Sequence, residues 1–161
     1  MIKGLHHSAY RCRDSEETRR FYEDFLGLPL ASTLHISETK TGRRTRVLHT
    51  FYEMGDGSFL AFFEAPDMPF EFKAQHDFDL HIALEVDELT LREMYARGKA
   101  GGIDTRGIVD HGFIQSIYFR DPNGYVIELT TRTDHAGDAG RAREAARGTL
   151  DAWQAGKSPP A

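Results

Sequence analysis

The chain has 161 residues, 40% hydrophobic and 28% charged, with a net charge of −5 and a pI near 5.9. That balance suits one globular domain and excludes the basic footprint of a nucleic-acid binder. Cys12 is the sole cysteine, which excludes a disulfide framework and a Cys-rich zinc site, and no apolar run approaches the roughly 18 residues of a membrane helix. A soluble, cytoplasmic protein without nucleic-acid or membrane partners is expected.

The first element is "GLHHSAYRC", whose alternation predicts a strand with His7, Ala9 and Arg11 on one face and His6, Ser8, Tyr10 and Cys12 on the other. Asp14 or Ser15 can cap a following helix, with Glu16 and Glu17 in its first turn and Phe21, Phe25 and Leu26 as its apolar stripe. Gly27 is a natural stop. Three strands are then predicted over about 30–38, 45–54 and 58–65, joined by "KTGR" and the tight turn "GDG". The basic run "GRRTR" lies at the first of these turns and reads as a solvated hairpin tip. Residues 66–77 hold two prolines and no clean period, so they read as a linker.

The pattern then restarts. "DLHIALEV" predicts a strand with His81, Ala83 and Glu85 on one face, Asp87 caps a helix over 88–99, and strands follow at about 103–108, 113–120 and 124–131. Aligning His7 with His81 brings Ala9 onto Ala83 and Asp14 near Asp87. The expected fold is therefore α+β: two βαβββ repeats (modules 1–65 and 78–132) in mostly antiparallel sheets curved around a concave site, with helices outside. Residues 133–161 form a C-terminal extension. A short helix is expected over 140–155, with Leu150 and Trp153 packing back onto the domain, followed by a frayed end.

Two histidines and one carboxylate on one face form a common centre for iron- and manganese-type cations. His7 and His81 open the first strand of each half. Along the last strand, Glu128 shares a face with Val126 and Thr130, opposite Tyr125, Ile127 and Leu129. The "DPNG" turn before it places Tyr118 opposite Glu128. A mid-strand carboxylate flanked by Ile and Leu needs a partner or exposure, and metal coordination would supply the partner.

"LHHSAYRCRDSEETRRFYEDFLGLPL", "DLHIALEVD" and "YFRDPNGYVIELT" together resemble the vicinal oxygen chelate superfamily, over about residues 3–132. That superfamily includes glyoxalases, extradiol dioxygenases, fosfomycin-resistance proteins, methylmalonyl-CoA epimerases and bleomycin-binding proteins. The resemblance implies metal ligands at His7 (rather than His6), His81 and Glu128. Glyoxalases and epimerases add a glutamate on the fourth strand, but the repeat lays "LAFFE" over "IELTT", so Ala61 takes that place and Glu64 faces the other way. Fosfomycin-resistance enzymes carry a threonine two residues after the first histidine, where this chain has Ala9. Extradiol dioxygenases share the "LAF" run and a tyrosine ten residues before the metal glutamate, here Tyr118. Their acid–base histidine is replaced by Ser58, and His111 or His49 is a substitute.

The resemblance thus implies a dioxygenase-like oxidoreductase that binds a catechol- or enolate-like substrate, and O2, at Fe(II), with Mn(II), Zn(II) or Ni(II) as other choices. Tyr118 and His111 would act in catalysis. Phe51, Phe59, Phe63 and His49 would contact substrate. The alternatives are a metal-dependent glyoxalase- or isomerase-type lyase and a metal-free binding module of the bleomycin-resistance kind. A homodimer is expected, since two-fold dimers are the commonest oligomers. Some members of the superfamily complete the site within one chain and others across a dimer.

Overall fold

The computed structural model describes residues 1–74, 76–133 and 138–157. Strand β1 (His7–Cys12) leads into helix α1 (Ser15–Arg19), which continues as a π-helical segment, Arg20–Phe25. Asp14 is the N-cap, its Oδ1 accepting the Glu17 N–H at 2.8 Å, and Gly27, at φ +84°, follows the helical segment. Strands β2 (Leu30–Glu38), β3 (Arg44–Glu53) and β4 (Phe59–Glu64) complete the first half. The second half repeats it: β5 (His81–Glu85), α2 (Glu88–Ala100) capped by Asp87, β6 (Thr105–Asp110), β7 (Ile114–Arg120) and β8 (Val126–Arg132).

Each half makes one four-stranded sheet, in the orders β1-β4-β3-β2 and β5-β8-β7-β6. The β1–β4 and β5–β8 pairs are parallel and the rest antiparallel. The register bears out the repeat: Ala9 pairs with Ala61 in the first sheet, and Ala83 pairs with Glu128 in the second. Ala61 thus occupies the place of Glu128. Glu64 is turned to the helix side, where its Oε2 accepts the Ser15 N–H at 2.7 Å. Tyr118 pairs with Glu128, as expected.

One apolar core serves both halves, joining Tyr22, Phe25, Tyr52, Leu60 and Phe62 to Ile82, Leu91, Ile117, Phe119, Ile127 and Leu129. Phe25 meets Phe119 edge-on at 5.1 Å, a geometry that aromatic rings favour. The "DPNG" turn is a clamp between the halves as well as a hairpin. Tyr22 donates its hydroxyl to Asp121 Oδ2 at 3.0 Å. Asn123 Nδ2 donates to Thr18 Oγ1 at 3.2 Å, and its Oδ1 accepts the Arg13 N–H at 2.9 Å. Gly124 sits at φ +95°, and an added Cβ would come within 2.6 Å of the Lys73 backbone, so the linker passes directly over this turn.

Two expectations change. Strand β6 begins two residues later than 103, because the Ile103 N–H bonds back to the Gly98 carbonyl at 3.0 Å and so belongs to the helix end. The tail does form a helix, α3 (Asp138–Gly156), but Leu150 is 49% and Trp153 68% exposed, so neither packs onto the domain. An alanine-rich segment gains helix from its own propensity, and its two large apolar side chains offer little area to bury. The frayed end, from residue 158 onward, lies outside the described residues. No helix among the described residues is long and apolar enough to cross a membrane.

Candidate metal centre

His81 opens β5 just after a turn over residues 77–79. Its Nδ1 lies 2.8 Å from the Asp77 carbonyl oxygen. A carbonyl only accepts, so Nδ1 carries a proton, and in the neutral ring Nε2 then presents its lone pair. That lone pair faces Glu128 Oε2 at 3.2 Å. Glu128 is 4% exposed. Two acceptors this close, one an ionisable carboxylate in a buried place, need a proton or a cation between them.

The spacing suits a cation. Two donors each about 2.1 Å from one ion, set at about a right angle, lie about 3.0 Å apart. The donor set, imidazole nitrogen with carboxylate oxygen, suits divalent iron, manganese, zinc or nickel. His81 and Glu128 would hold such an ion on two sides, leaving the remainder of its coordination to other donors.

Tyr118 and His111 extend the cluster. The Tyr118 hydroxyl donates to Glu128 Oε1 across a long 3.4 Å and meets His111 Nε2 at 3.0 Å. Burial raises the Tyr118 pKa, and the negative charge of Glu128 raises it further, so the group stays a phenol near neutrality. These residues line a cavity of about 550 Å³, with Phe78, Val109, Phe113 and Ile114 as apolar walls.

His7 stands apart. It is exposed at the start of β1, its Nδ1 lies 2.8 Å from that of His6, and its ring meets Phe51 at 5.8 Å. It does not line the His81–Glu128 cavity. Among the described residues no group of three histidine, cysteine or acidic side chains surrounds one point. The expected triad is therefore not assembled within one chain.

The expected substrate contacts gather around His7 rather than around His81. Phe51 meets Phe59 at 6.1 Å, and His49 stacks on Phe63 at 3.6 Å with 13° between the planes. His49 is 7% exposed, and its Nδ1 lies 3.0 Å from the Phe62 carbonyl oxygen, so it is a packed, hydrogen-bonded histidine. Ser58 Oγ is engaged by Asp56 at 2.6 Å.

Sequence reasoning passed over Asp77, Arg106, Phe78 and Phe113, which share the His81 cavity. Asp77 stands four residues before His81, a spacing that in hindsight fits a turn closing onto the ring.

Comparisons with known proteins bear on this arrangement. A family model described as "Glyoxalase/Bleomycin resistance protein/Dioxygenase superfamily" matches residues 4–129. A curated relative, "Metallothiol transferase FosB" of Shouchella clausii, is 28% identical over 139 residues, covering 83% of each chain. The crystal structure of the fosfomycin resistance protein FosX from Mesorhizobium loti superposes with a TM-score of 0.61 at 23% identity, covering 88% of this chain and 99% of that one. FosX from Listeria monocytogenes, solved with Mn(II) and sulfate, superposes with a TM-score of 0.61 at 22% identity, covering 83% and 95%. These findings support the superfamily and not dioxygenase activity in particular.

Proposed function

Since the chain belongs to the glyoxalase, bleomycin resistance protein and dioxygenase superfamily, we propose that it is a metal-dependent enzyme whose centre forms between two copies: His81 and Glu128 from one and His7 from the other. The observation that carries this reading is the His81 Nε2–Glu128 Oε2 pair at 3.2 Å, a buried carboxylate facing a lone pair. His7 is exposed and free to reach a second copy. A bound divalent ion would supply Lewis acidity and a template for a small anionic substrate with chelating oxygens. Tyr118 would donate a hydrogen bond to the developing oxygen anion, and His111 would take up or return the proton through the Tyr118 hydroxyl. Phe78 and Phe113, 94% and 59% exposed, would offer apolar surface at the rim of the opening.

The relatives named as a metallothiol transferase and as fosfomycin-resistance proteins favour oxygen-independent addition to such a substrate. A second reading, an extradiol-type dioxygenase using Fe(II), is favoured by the aromatic residues beside both half-sites, which suit an aromatic substrate. Oxygen uptake with catechols in air separates it from thiol addition to fosfomycin under argon with Mn(II).

The shared site is tested by complementation. His7→Ala and His81→Ala should each abolish metal binding and leave the fold intact. Co-expressed, they should form mixed dimers with one intact site, so that about a quarter of all sites recover. Full metal content in His81→Ala, or no recovery in isolated mixed dimers, would sink the proposal.

A further inference from the structure

Arg106 lies on β6, on the far edge of the sheet from β5, yet it reaches the turn that precedes His81. Its Nη2 donates to Asp77 Oδ2 at 2.7 Å, and its guanidinium carbon stands 5.2 Å from the centroid of the Tyr118 ring. Asp77 meanwhile uses its backbone carbonyl to receive His81 Nδ1–H at 2.8 Å. Asp77 therefore joins the two ends: its side chain is tied to β6 and its main chain to the imidazole.

Within this turn the Asp79 N–H bonds to the His76 carbonyl at 2.9 Å, and the Phe78 N–H to His76 Nδ1 at 3.1 Å. Both bonds are local to the turn. Among the described residues the Asp77–Arg106 pair is a long-range hydrogen-bonded contact from this turn to the sheet, 29 residues away in sequence. The site needs that tie. A histidine whose Nδ1 loses its acceptor can place its proton on either nitrogen, and a proton on Nε2 removes the donor that faces Glu128.

We propose that Arg106 is a positioning residue. It latches Asp77 so that the Asp77 carbonyl holds His81 in the single tautomer with Nε2 open toward Glu128, and its guanidinium fixes the Tyr118 ring beside the same carboxylate. The latch rests on the metal-site reading for its purpose but not for its geometry, which exists in the chain without an ion. A salt bridge on a surface is worth little as stability. This one, with half-exposed Arg106, is expected to matter for orientation.

The test uses the full chain and four proteins: wild type, Arg106→Gln, Asp77→Asn and the double variant, with Arg106→Lys as a rescue. Two quantities are read. The first is the tautomer of His81 in metal-free protein, from the imidazole ¹⁵N shifts, assigned by their loss in His81→Ala. The second is Mn(II) affinity by calorimetry. The wild type should show one Nδ1–H tautomer. Arg106→Gln and Asp77→Asn should each give a mixture and weaken Mn(II) by about 10-fold or more, within the range for losing an outer-shell partner. The double variant should be no worse than Arg106→Gln alone, since the Asp77 contact is already broken there. Arg106→Lys, which keeps a positive charge for Asp77, should restore the tautomer. A pure Nδ1–H tautomer in both single variants overturns the latch while leaving the metal site standing if Mn(II) still binds. A wild type that binds no Mn(II) but shows the expected tautomer changes overturns the metal reading and keeps the latch. Additive losses in the double variant also overturn the latch.

Discussion

Replacing Tyr22 by phenylalanine removes one oxygen from the clamp between the halves and leaves the rest of the side chain in place. The ring is fully buried, at 4.6 Å from Phe62 and 5.6 Å from Tyr52, and these contacts persist. What goes is the hydroxyl donated to Asp121 Oδ2 at 3.0 Å. Asp121 is 2% exposed and keeps its bonds from the Asn123 and Tyr125 backbone N–H groups and from Asn123 Nδ2. A hydrogen bond to a charged acceptor is worth about 1.5–3 kcal/mol, and for a chain of this length about 2–4 °C accompanies each kcal/mol. The variant should therefore melt about 3–12 °C lower. Thermal and urea unfolding followed by far-ultraviolet circular dichroism are the assays, because Trp153 lies exposed on α3 and does not report on the core. The slope should not change.

The loss should also depend on pH in a defined direction. Burial raises the folded pKa of Asp121 above its ordinary 3.8. The folded protein then binds the proton more readily than the unfolded chain. The contribution of that proton is fully present below the unfolded value and is lost as pH rises through the folded one. Once the carboxyl is protonated, the Tyr22 bond is between neutral groups and is worth about 1 kcal/mol. The Tyr22→Phe penalty should thus shrink as pH falls from neutrality toward the ordinary carboxylate range. A penalty below about 0.5 kcal/mol at pH 7, or one that grows on acidification, would refute the reasoning.

Three further outcomes are expected. Gly98→Ala improves helix propensity, but its Cβ would fall 2.5 Å from Thr105 Oγ1 and 2.6 Å from Phe119 Cε1. Overpacking should dominate and destabilise by about 1–3 kcal/mol in the same urea assay. Glu128→Gln should reduce Mn(II) affinity by at least about 100-fold in calorimetry, while the metal-free variant unfolds no earlier than wild type, since a buried carboxylate has been neutralised. Tyr118→Phe should bind Mn(II) within about 10-fold of wild type yet lose about 100-fold or more in turnover, as the hydroxyl that joins His111 to Glu128 is gone.

The sequence revealed most where the signal is local or periodic. Asp14 and Asp87 both cap helices, the "DPNG" hairpin placed Tyr118 opposite Glu128, and the repeat put Ala61 in the place matching Glu128. Contacts between the halves left no such trace. Tyr22 and Asp121 are 99 residues apart, and nothing in "DPNG" distinguishes a hairpin from a hairpin that also grips another element. The π-helical turn over Arg20–Phe25 has the same apolar spacing as an ordinary helix. His49 looked available from its strand position, but a carbonyl on the neighbouring strand takes its Nδ1 and an aromatic ring covers its face. Arg106 carried no motif, because its partner lies in an irregular linker.

The two halves share one plan and differ in what their equivalent positions carry. In the second, His81, Glu128 and Tyr118 occupy adjacent strands β5, β8 and β7. In the first, the corresponding strands carry His7, Ala61 and Phe51. The carboxylate has become a methyl and the phenol has become a phenyl. Without the carboxylate, the first sheet has no buried negative charge and so no need of a cation. What remains there is a histidine without an acid, surrounded by aromatic rings. The second sheet has the opposite lack: an acid and one histidine, with no third histidine, cysteine or acidic side chain grouped with them among the described residues. Neither half makes a metal centre alone, and the described residues of one chain do not bring the two sets together. A histidine at the exposed start of its strand, beside the Phe51 ring and without an acid of its own, is what the shared-site reading requires of the first half.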